Sequence, residues 1–72
     1  MHNDAMEELV FDVMQDSDGG FVAEALGEDI FTEAGSWDEL CVHVREAVVA
    51  YYFDIAAPRR VRLRLVRDEV LA

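Results

Sequence analysis

The apolar residues between positions 37 and 51 recur at helical spacing, whereas those before and after this segment alternate with polar residues. Ser36 and Glu39 occupy the two positions of a capping box, in which a serine hydroxyl and a glutamate carboxylate each accept a hydrogen bond from an otherwise unpaired backbone N–H. Pro58 prevents the helix from continuing. We therefore expect one helix over roughly residues 37 to 54. The stripe expected to face the core contains Trp37, Leu40, Cys41, Val44, Val48 and Tyr51.

Alternation of apolar and polar residues predicts three strands before this helix and one after it. The first, residues 8 to 15, ends at a run of aspartate and glycine residues whose conformational preferences suit a tight reversal. The second strand is expected over residues 21 to 26. The short third strand is expected over residues 30 to 34, where alternation leaves open whether Ile30 or Phe31 points inward.

The last strand, residues 60 to 67, alternates most regularly, with Val61, Leu63 and Leu65 expected inward and its arginines outward. The helix carries the chain back to the start of the sheet, so this strand should run parallel to the first one. The predicted fold is an α+β, two-layer β-β-β-α-β domain: a four-stranded mixed sheet in the order 3-2-1-4 with one helix on one face.

This sheet order accounts for the arginines of the last strand. It places Arg62 and Arg64 beside Glu8 and Asp12 of strand one on the open face of the sheet. Opposite charges paired across neighbouring strands stabilise a sheet by roughly 0.2 to 1 kcal/mol each.

Sixteen Asp and Glu residues against six Lys and Arg residues give the chain a net charge of −10, yet 53% of its residues are hydrophobic. This apolar content is too high for a disordered chain, and the length leaves room for one core. We expect residues 8–72 to form a single domain after a frayed tail of residues 1–7. The charge disfavours unaided binding to nucleic acid and favours a basic protein partner.

Several kinds of site are not expected. His2, Cys41 and His43 do not have the spacing of zinc ligands, and one cysteine cannot form an internal disulfide. Cys41 is expected to be a small buried apolar group and His43 an exposed helix residue. No apolar stretch approaches the roughly 20 residues that cross a bilayer, and no signal peptide is evident. The sequence predicts a cytoplasmic protein with no metal or cofactor.

Catalysis is not expected either. A nuclease with an RNase H-type site needs several carboxylates that converge on two metal ions. Strand one supplies Asp12, but strand four supplies arginines where another acid would be needed. The chain is therefore predicted not to be an enzyme.

Three segments together resemble the N-terminal domain of HicB-type antitoxins. Residues 16–25 read DSDGGFVAEA, residues 30–34 read IFTEA, and residues 37–40 read WDEL at the start of the helix. HicB-type domains share a D-G-G-aromatic-V-A-E hairpin, a short strand, a T/S-x-x-E-L helix start and a final strand, in a partial RNase H-like fold. The resemblance covers roughly residues 8 to 67. The link LGED at residues 26–29 departs from the D-L-P-G-C-like link of that family.

The resemblance implies a specific partner. In complete HicB systems this domain binds a small basic ribonuclease toxin and covers its catalytic histidine, while an appended DNA-binding domain represses transcription. The sequence given contains no such second module, so a solo protein-binding domain is expected. The alternatives are a nucleic-acid-binding domain that uses the basic stripe Arg60, Arg62 and Arg64, and an oligomeric structural protein.

Surplus apolar residues predict an interface. Several of them are expected on the open face of the sheet, and others form a second stripe on the helix, which predicts a homodimer or higher oligomer as well as contact with a toxin. If the helix were rotated, part of the helix stripe would instead belong to the core. The predicted interface residues are Val10, Met14, Val22, Phe31, Val42, Val49 and Phe53.

Overall fold

Four strands and one helix follow one another in the predicted order β-β-β-α-β, in a computed structural model that describes residues 7–72. The elements are β1 (Glu8–Gln15), β2 (Phe21–Ala25), β3 (Phe31–Ala34), α1 (Trp37–Tyr51) and β4 (Arg60–Leu65). Residues 1–6 of the predicted tail lie outside the described residues. Glu7, which was also assigned to that tail, has a carbonyl that accepts a hydrogen bond from the Arg60 N–H (3.1 Å).

The strands are ordered β3-β2-β1-β4, which confirms the predicted sheet. β2 is antiparallel to both β1 and β3, and β4 is parallel to β1. In the β1–β4 register, Glu8 lies opposite Arg60 and Asp12 lies opposite Arg64. β1 therefore has hydrogen-bonded strands on both sides, whereas β3 and β4 form the two edges of the sheet.

The turn between β1 and β2 depends on a glycine and on short polar side chains. Gly19 has a φ of 95°, a left-handed conformation that residues with a Cβ rarely adopt. The Asp16 N–H donates to the Gly20 carbonyl (2.7 Å), and the Gly20 N–H donates to Oδ1 of Asp18 (3.2 Å). These hydrogen bonds form the tight turn that was expected from the aspartate and glycine residues at this point of the sequence.

Helix α1 begins as the capping pattern predicted and ends earlier than predicted. The Glu39 N–H donates to Oγ of Ser36 (3.2 Å), and Ser36 has an extended backbone. The helix ends at Tyr51 rather than near residue 54, because Tyr52 leaves helical geometry to bury its ring in the core. The prediction that Tyr51 faces the core is wrong. Tyr51 is exposed, and its hydroxyl donates to Oε1 of Glu28 (2.9 Å).

The core lies between α1 and the inner face of the sheet. Ile30 is only 6% exposed and Phe31 is 62% exposed, which answers the question that alternation left open. Ile30 does not belong to β3: its carbonyl accepts a hydrogen bond from the Ala25 N–H (2.9 Å) and closes the turn after β2. The buried core residues are Leu9, Phe11, Val13, Ala23, Ala25, Ile30, Leu40, Val44, Val48 and Tyr52.

β4 is only partly covered by the helix. α1 packs against β3 and β2, near the edge of the sheet that is farthest from β4. Val61, Leu63 and Leu65 lie on the core side of the sheet as predicted, but Val61 is 39% and Leu65 is 53% exposed. The strand ends at Leu65 instead of residue 67, although the Val66 N–H still donates to the Val13 carbonyl (2.8 Å).

Candidate functional site

The face of the sheet opposite the helix carries a patch of exposed apolar and acidic side chains. Neighbouring residues across the strands share a face, so the register places Val22 beside both Met14 and Glu33, and Glu24 beside Phe31. We call this group, Met14, Val22, Glu24, Phe31 and Glu33, the outer patch. Phe31, Met14 and both glutamates are exposed, and Val22 is half-buried.

The β4 side of the same face is neutralised by ion pairs. Nε of Arg64 lies 3.0 Å from Oδ1 of Asp12, and its Nη2 lies 3.3 Å from Oδ2, so the contact is bidentate. Nε and Nη2 of Arg62 lie 3.0 and 2.8 Å from Oε2 of Glu8. The hydrogen bond from Arg62 lowers the pKa of the Glu8 carboxyl, against the opposing effect of desolvation.

The acids of the outer patch have no such partners. Glu24 lies directly opposite Asp12, an arrangement of like charges that costs stability unless one of them is neutralised. Arg64 neutralises Asp12. Within residues 7–72, neither Glu24 nor Glu33 has a basic group within 4.0 Å. The outer patch is therefore an acidic surface with an exposed aromatic ring.

Sequence comparison identifies relatives of the chain. It is 33% identical to a UPF0150 protein of Thermotoga maritima over 69 residues, which covers 96% of this chain and 97% of the relative. The chain belongs to the UPF0150 family. A UPF0150 protein of Archaeoglobus fulgidus is 38% identical over 47 residues, or 65% of this chain and 71% of that one.

The other two comparisons found nothing. No protein-family model matches this UPF0150 protein. No solved structure matches it.

The predicted basic stripe of the UPF0150 protein is engaged within its own sheet. Arg60 lies 3.5 Å from carboxylate oxygens of both Glu7 and Glu8, in addition to the pairs that Arg62 and Arg64 form. The positive charge of Arg60, Arg62 and Arg64 is therefore largely balanced by carboxylates of the same sheet.

The predicted interface residues divide into separate surfaces. Met14, Val22 and Phe31 come together in the outer patch, and Val10 lies one row away beside Arg62. The other three are exposed, Val42 and Val49 on α1 and Phe53 two residues after its end, so the alternative that they belong to the core is wrong. We call Val42, Val49 and Phe53 the outer helix stripe.

Two acids of the outer patch were not predicted as site residues, although the sequence pattern does place them on the outer face of the sheet. Glu24 and Glu33 stand at alternate positions within short strands, so a period of two places them on the outer face. The predicted order 3-2-1-4 already places the basic strand at the far edge of the sheet from β3. Alternation alone does not show which carboxylates pair with the arginines of that strand, and in the structure these are Glu7, Glu8 and Asp12.

Helix residues His43 and Cys41 are both half-buried. Nδ1 of His43 donates to the Glu33 carbonyl oxygen (2.9 Å) and ties α1 to β3, so the prediction of an exposed histidine is wrong. Among residues 7–72, no three His, Cys, Asp or Glu side chains are grouped closely enough to hold a metal ion. No helix in this part of the chain has the length and apolar character needed to cross a membrane.

The Glu8 pair predicts an acid-dependent loss of stability. Because the Glu8 pKa is lower in the folded protein, the pair stabilises the folded state above the ordinary value of 4.5 and loses this effect as the pH falls through the folded value. Melting temperatures of the wild type and Glu8→Gln should therefore differ most near neutral pH and converge below about pH 4.5.

The matched control for this pH series is Glu33→Gln, which removes a carboxylate that has no basic neighbour within residues 7–72. Its melting temperature should not show the same convergence with the wild type. A difference between wild type and Glu8→Gln that stayed constant down to about pH 3 would contradict the prediction.

Proposed function

We propose that this UPF0150 protein is a non-catalytic protein-binding module of the HicB antitoxin type, and that its outer patch captures a small basic protein such as a ribonuclease toxin. One observation carries the proposal. An exposed aromatic ring, Phe31, lies beside the carboxylates of Glu24 and Glu33, which have no basic partner within residues 7–72. The resemblance of the sequence to HicB-type domains supplies the class of partner.

The two kinds of residue in the outer patch have different roles in this proposal. Glu24 and Glu33 speed the encounter with a basic partner and select against acidic ones, because long-range attraction acts mainly on the association rate. Phe31 supplies contact area as the ring that enters a pocket of the partner. Large aromatic residues at the centre of an interface often account for most of its binding energy.

The proposed role is inhibition by coverage rather than chemistry. Asp12 is the strand carboxylate that an RNase H-type site would use, and it is held by a bidentate contact to Arg64. The basic strand that could have attracted nucleic acid is likewise paired to the carboxylates of β1 and Glu7. Two of the carboxylates outside these ion pairs, Glu24 and Glu33, lie on the outer patch, where they suit a basic protein.

Coexpression with a neighbouring gene tests the proposal. The product of an adjacent reading frame, if small and basic, should copurify with the wild-type chain. Glu24→Lys combined with Glu33→Lys should reduce the association rate about tenfold or more, since charge reversal replaces attraction by repulsion. Phe31→Ala should instead act mainly by raising the dissociation rate.

The matched control is Asp54→Lys, the same charge reversal at an exposed position after the helix. It should leave the association rate close to that of wild type. The proposal fails if no adjacent basic product copurifies, or if Asp54→Lys weakens capture as much as the reversals in the outer patch do.

A further inference from the structure

The inner face of the sheet is covered over only part of its width. On β1, Leu9, Phe11 and Val13 are at most 1% exposed. Of their neighbours on β4, Val61 is 39% and Leu65 is 53% exposed, and Leu63 is half-buried against the core. We call the apolar residues Val61, Leu63 and Leu65 the uncovered β4 face. Within residues 7–72 no helix packs on this strand, because α1 packs against β3 and β2 at the other edge.

The dimensions of the sheet leave room for a second helix. Strands lie about 4.8 Å apart, so the axes of β3 and β4 are separated by roughly 14 Å. A helix with its side chains is about 10 Å wide, and packed helices lie about 8–10 Å apart. One helix over β2 and β3 therefore leaves a space over β4 that a second helix would fill.

The outer helix stripe supplies a matching surface on the same chain. At about 100° per residue, Val42 and Val49 point roughly 150° away from the centre of the buried stripe of α1, and Phe53 follows two residues after the helix ends. Val49 is 70% and Phe53 is 81% exposed. An apolar row on the far side of a helix has no role in the fold of the single chain, and it marks a contact surface.

We propose that the protein is a homodimer in which α1 of each copy lies, through its outer helix stripe, on the uncovered β4 face of the other. A two-fold axis parallel to the strands brings both contacts together, because each copy carries both surfaces. The two helices then lie side by side between the two sheets. The inner face of each sheet is then covered by two helices, its own α1 and the α1 of the other copy.

The lengths and directions of the two surfaces agree. From Val42 to the end of α1 at Tyr51 the helix extends about 14 Å at 1.5 Å per residue, and Val61 to Leu65 extends about 13 Å at 3.3 Å per residue. α1 runs antiparallel to β4, since it returns the chain from the end of β3 to the start of a parallel strand. In the dimer, Val49 of one copy therefore lies nearest Leu63 of the other.

A dimer formed by hydrogen bonding between the β4 edge strands of two copies is less favourable than the proposed dimer. It would leave the outer helix stripe exposed. The proposed dimer instead covers both apolar surfaces and leaves the outer patch free, so it does not depend on the proposed function and can fail separately from it.

Mass measurements on exposed-residue variants test the dimer. Light scattering of the wild type at micromolar concentration should give twice the monomer mass of 8.2 kDa. Val49→Asp should give the monomer mass, while its far-UV circular dichroism stays that of the wild type, because the residue faces solvent in the single chain. Ala50→Asp, the same change at the next exposed position, should remain a dimer.

Disulfide trapping then tests which surfaces meet. In a Cys41→Ser background, Val49→Cys and Leu63→Cys chains should form a disulfide-linked dimer when mixed and oxidised, and neither should do so alone. A wild-type monomer would overturn the proposal. A disulfide-linked dimer of Leu63→Cys alone would also overturn it, because it indicates pairing of two β4 strands. A disulfide-linked dimer of Val49→Cys alone would do so as well, because it indicates pairing of two helices. So would the absence of a link in the mixture.

Discussion

Replacement of Phe11 by alanine should reduce the free energy of unfolding by about 3–5 kcal/mol. Phe11 lies on β1, between β2 and β4, and its ring is 0% exposed. Its removal leaves a cavity between sheet and helix in addition to the lost burial of the ring. Small domains have only a few kcal/mol of stability, so much of the variant should be unfolded at room temperature.

The measurement is urea unfolding followed by circular dichroism, with Phe31→Ala as the control. That substitution makes the same chemical change at an exposed site on the other face of the sheet. It should change the free energy of unfolding by no more than about 0.5 kcal/mol. Equal decreases in the free energy of unfolding for Phe11→Ala and Phe31→Ala would show that Phe11 is not in the core as described.

Enlargement of Ala23 to leucine should also destabilise the protein, by about 1–3 kcal/mol. Ala23 is fully buried on β2, under the helix, and lies between Val13 and Thr32 in the sheet. A larger side chain at this position has no space unless α1 moves away from the sheet. Thermal unfolding of Ala23→Leu should therefore show a lower melting temperature than that of the wild type.

Ala50→Leu is the control for the size of the side chain. Ala50 is exposed on α1, and leucine is nearly as good a helix former as alanine, so the melting temperature should change little. If Ala23→Leu unfolded at the same temperature as the wild type, α1 would not pack closely on β2. The lower melting temperature of Ala23→Leu is expected from close packing alone and not from helix or strand propensity.

The parts of the fold that local patterns predicted well are those set by neighbouring residues. β1 has the predicted bounds, and Ser36 caps α1 as the spacing to Glu39 indicated. The predicted sheet order implied that Arg62 and Arg64 would meet Glu8 and Asp12, and they do. The errors in the bounds of the elements fall where Tyr52 and Ile30 are buried in the core from outside regular structure.

The candidate surfaces were predicted less completely. Alternation placed Met14 and Val22 on the open face and left the side of Phe31 undecided; all three lie together there. Alternation did not identify Glu24 and Glu33, because it does not show which carboxylates pair with the arginines of β4. The hydrogen bond from His43 to β3 depends in the same way on where α1 lies over the sheet.

The sequence by itself determined the order of the elements, the pairing of β4 with β1 and the residues that share each face of these two strands. Only the tertiary structure decided that α1 lies over β2 and β3, which leaves Val61 and Leu65 exposed and turns Val49 and Phe53 away from the core. The physical reason is that a periodic pattern reports which side chains point the same way. What covers them depends on the position of one element over another, and no local pattern contains that information.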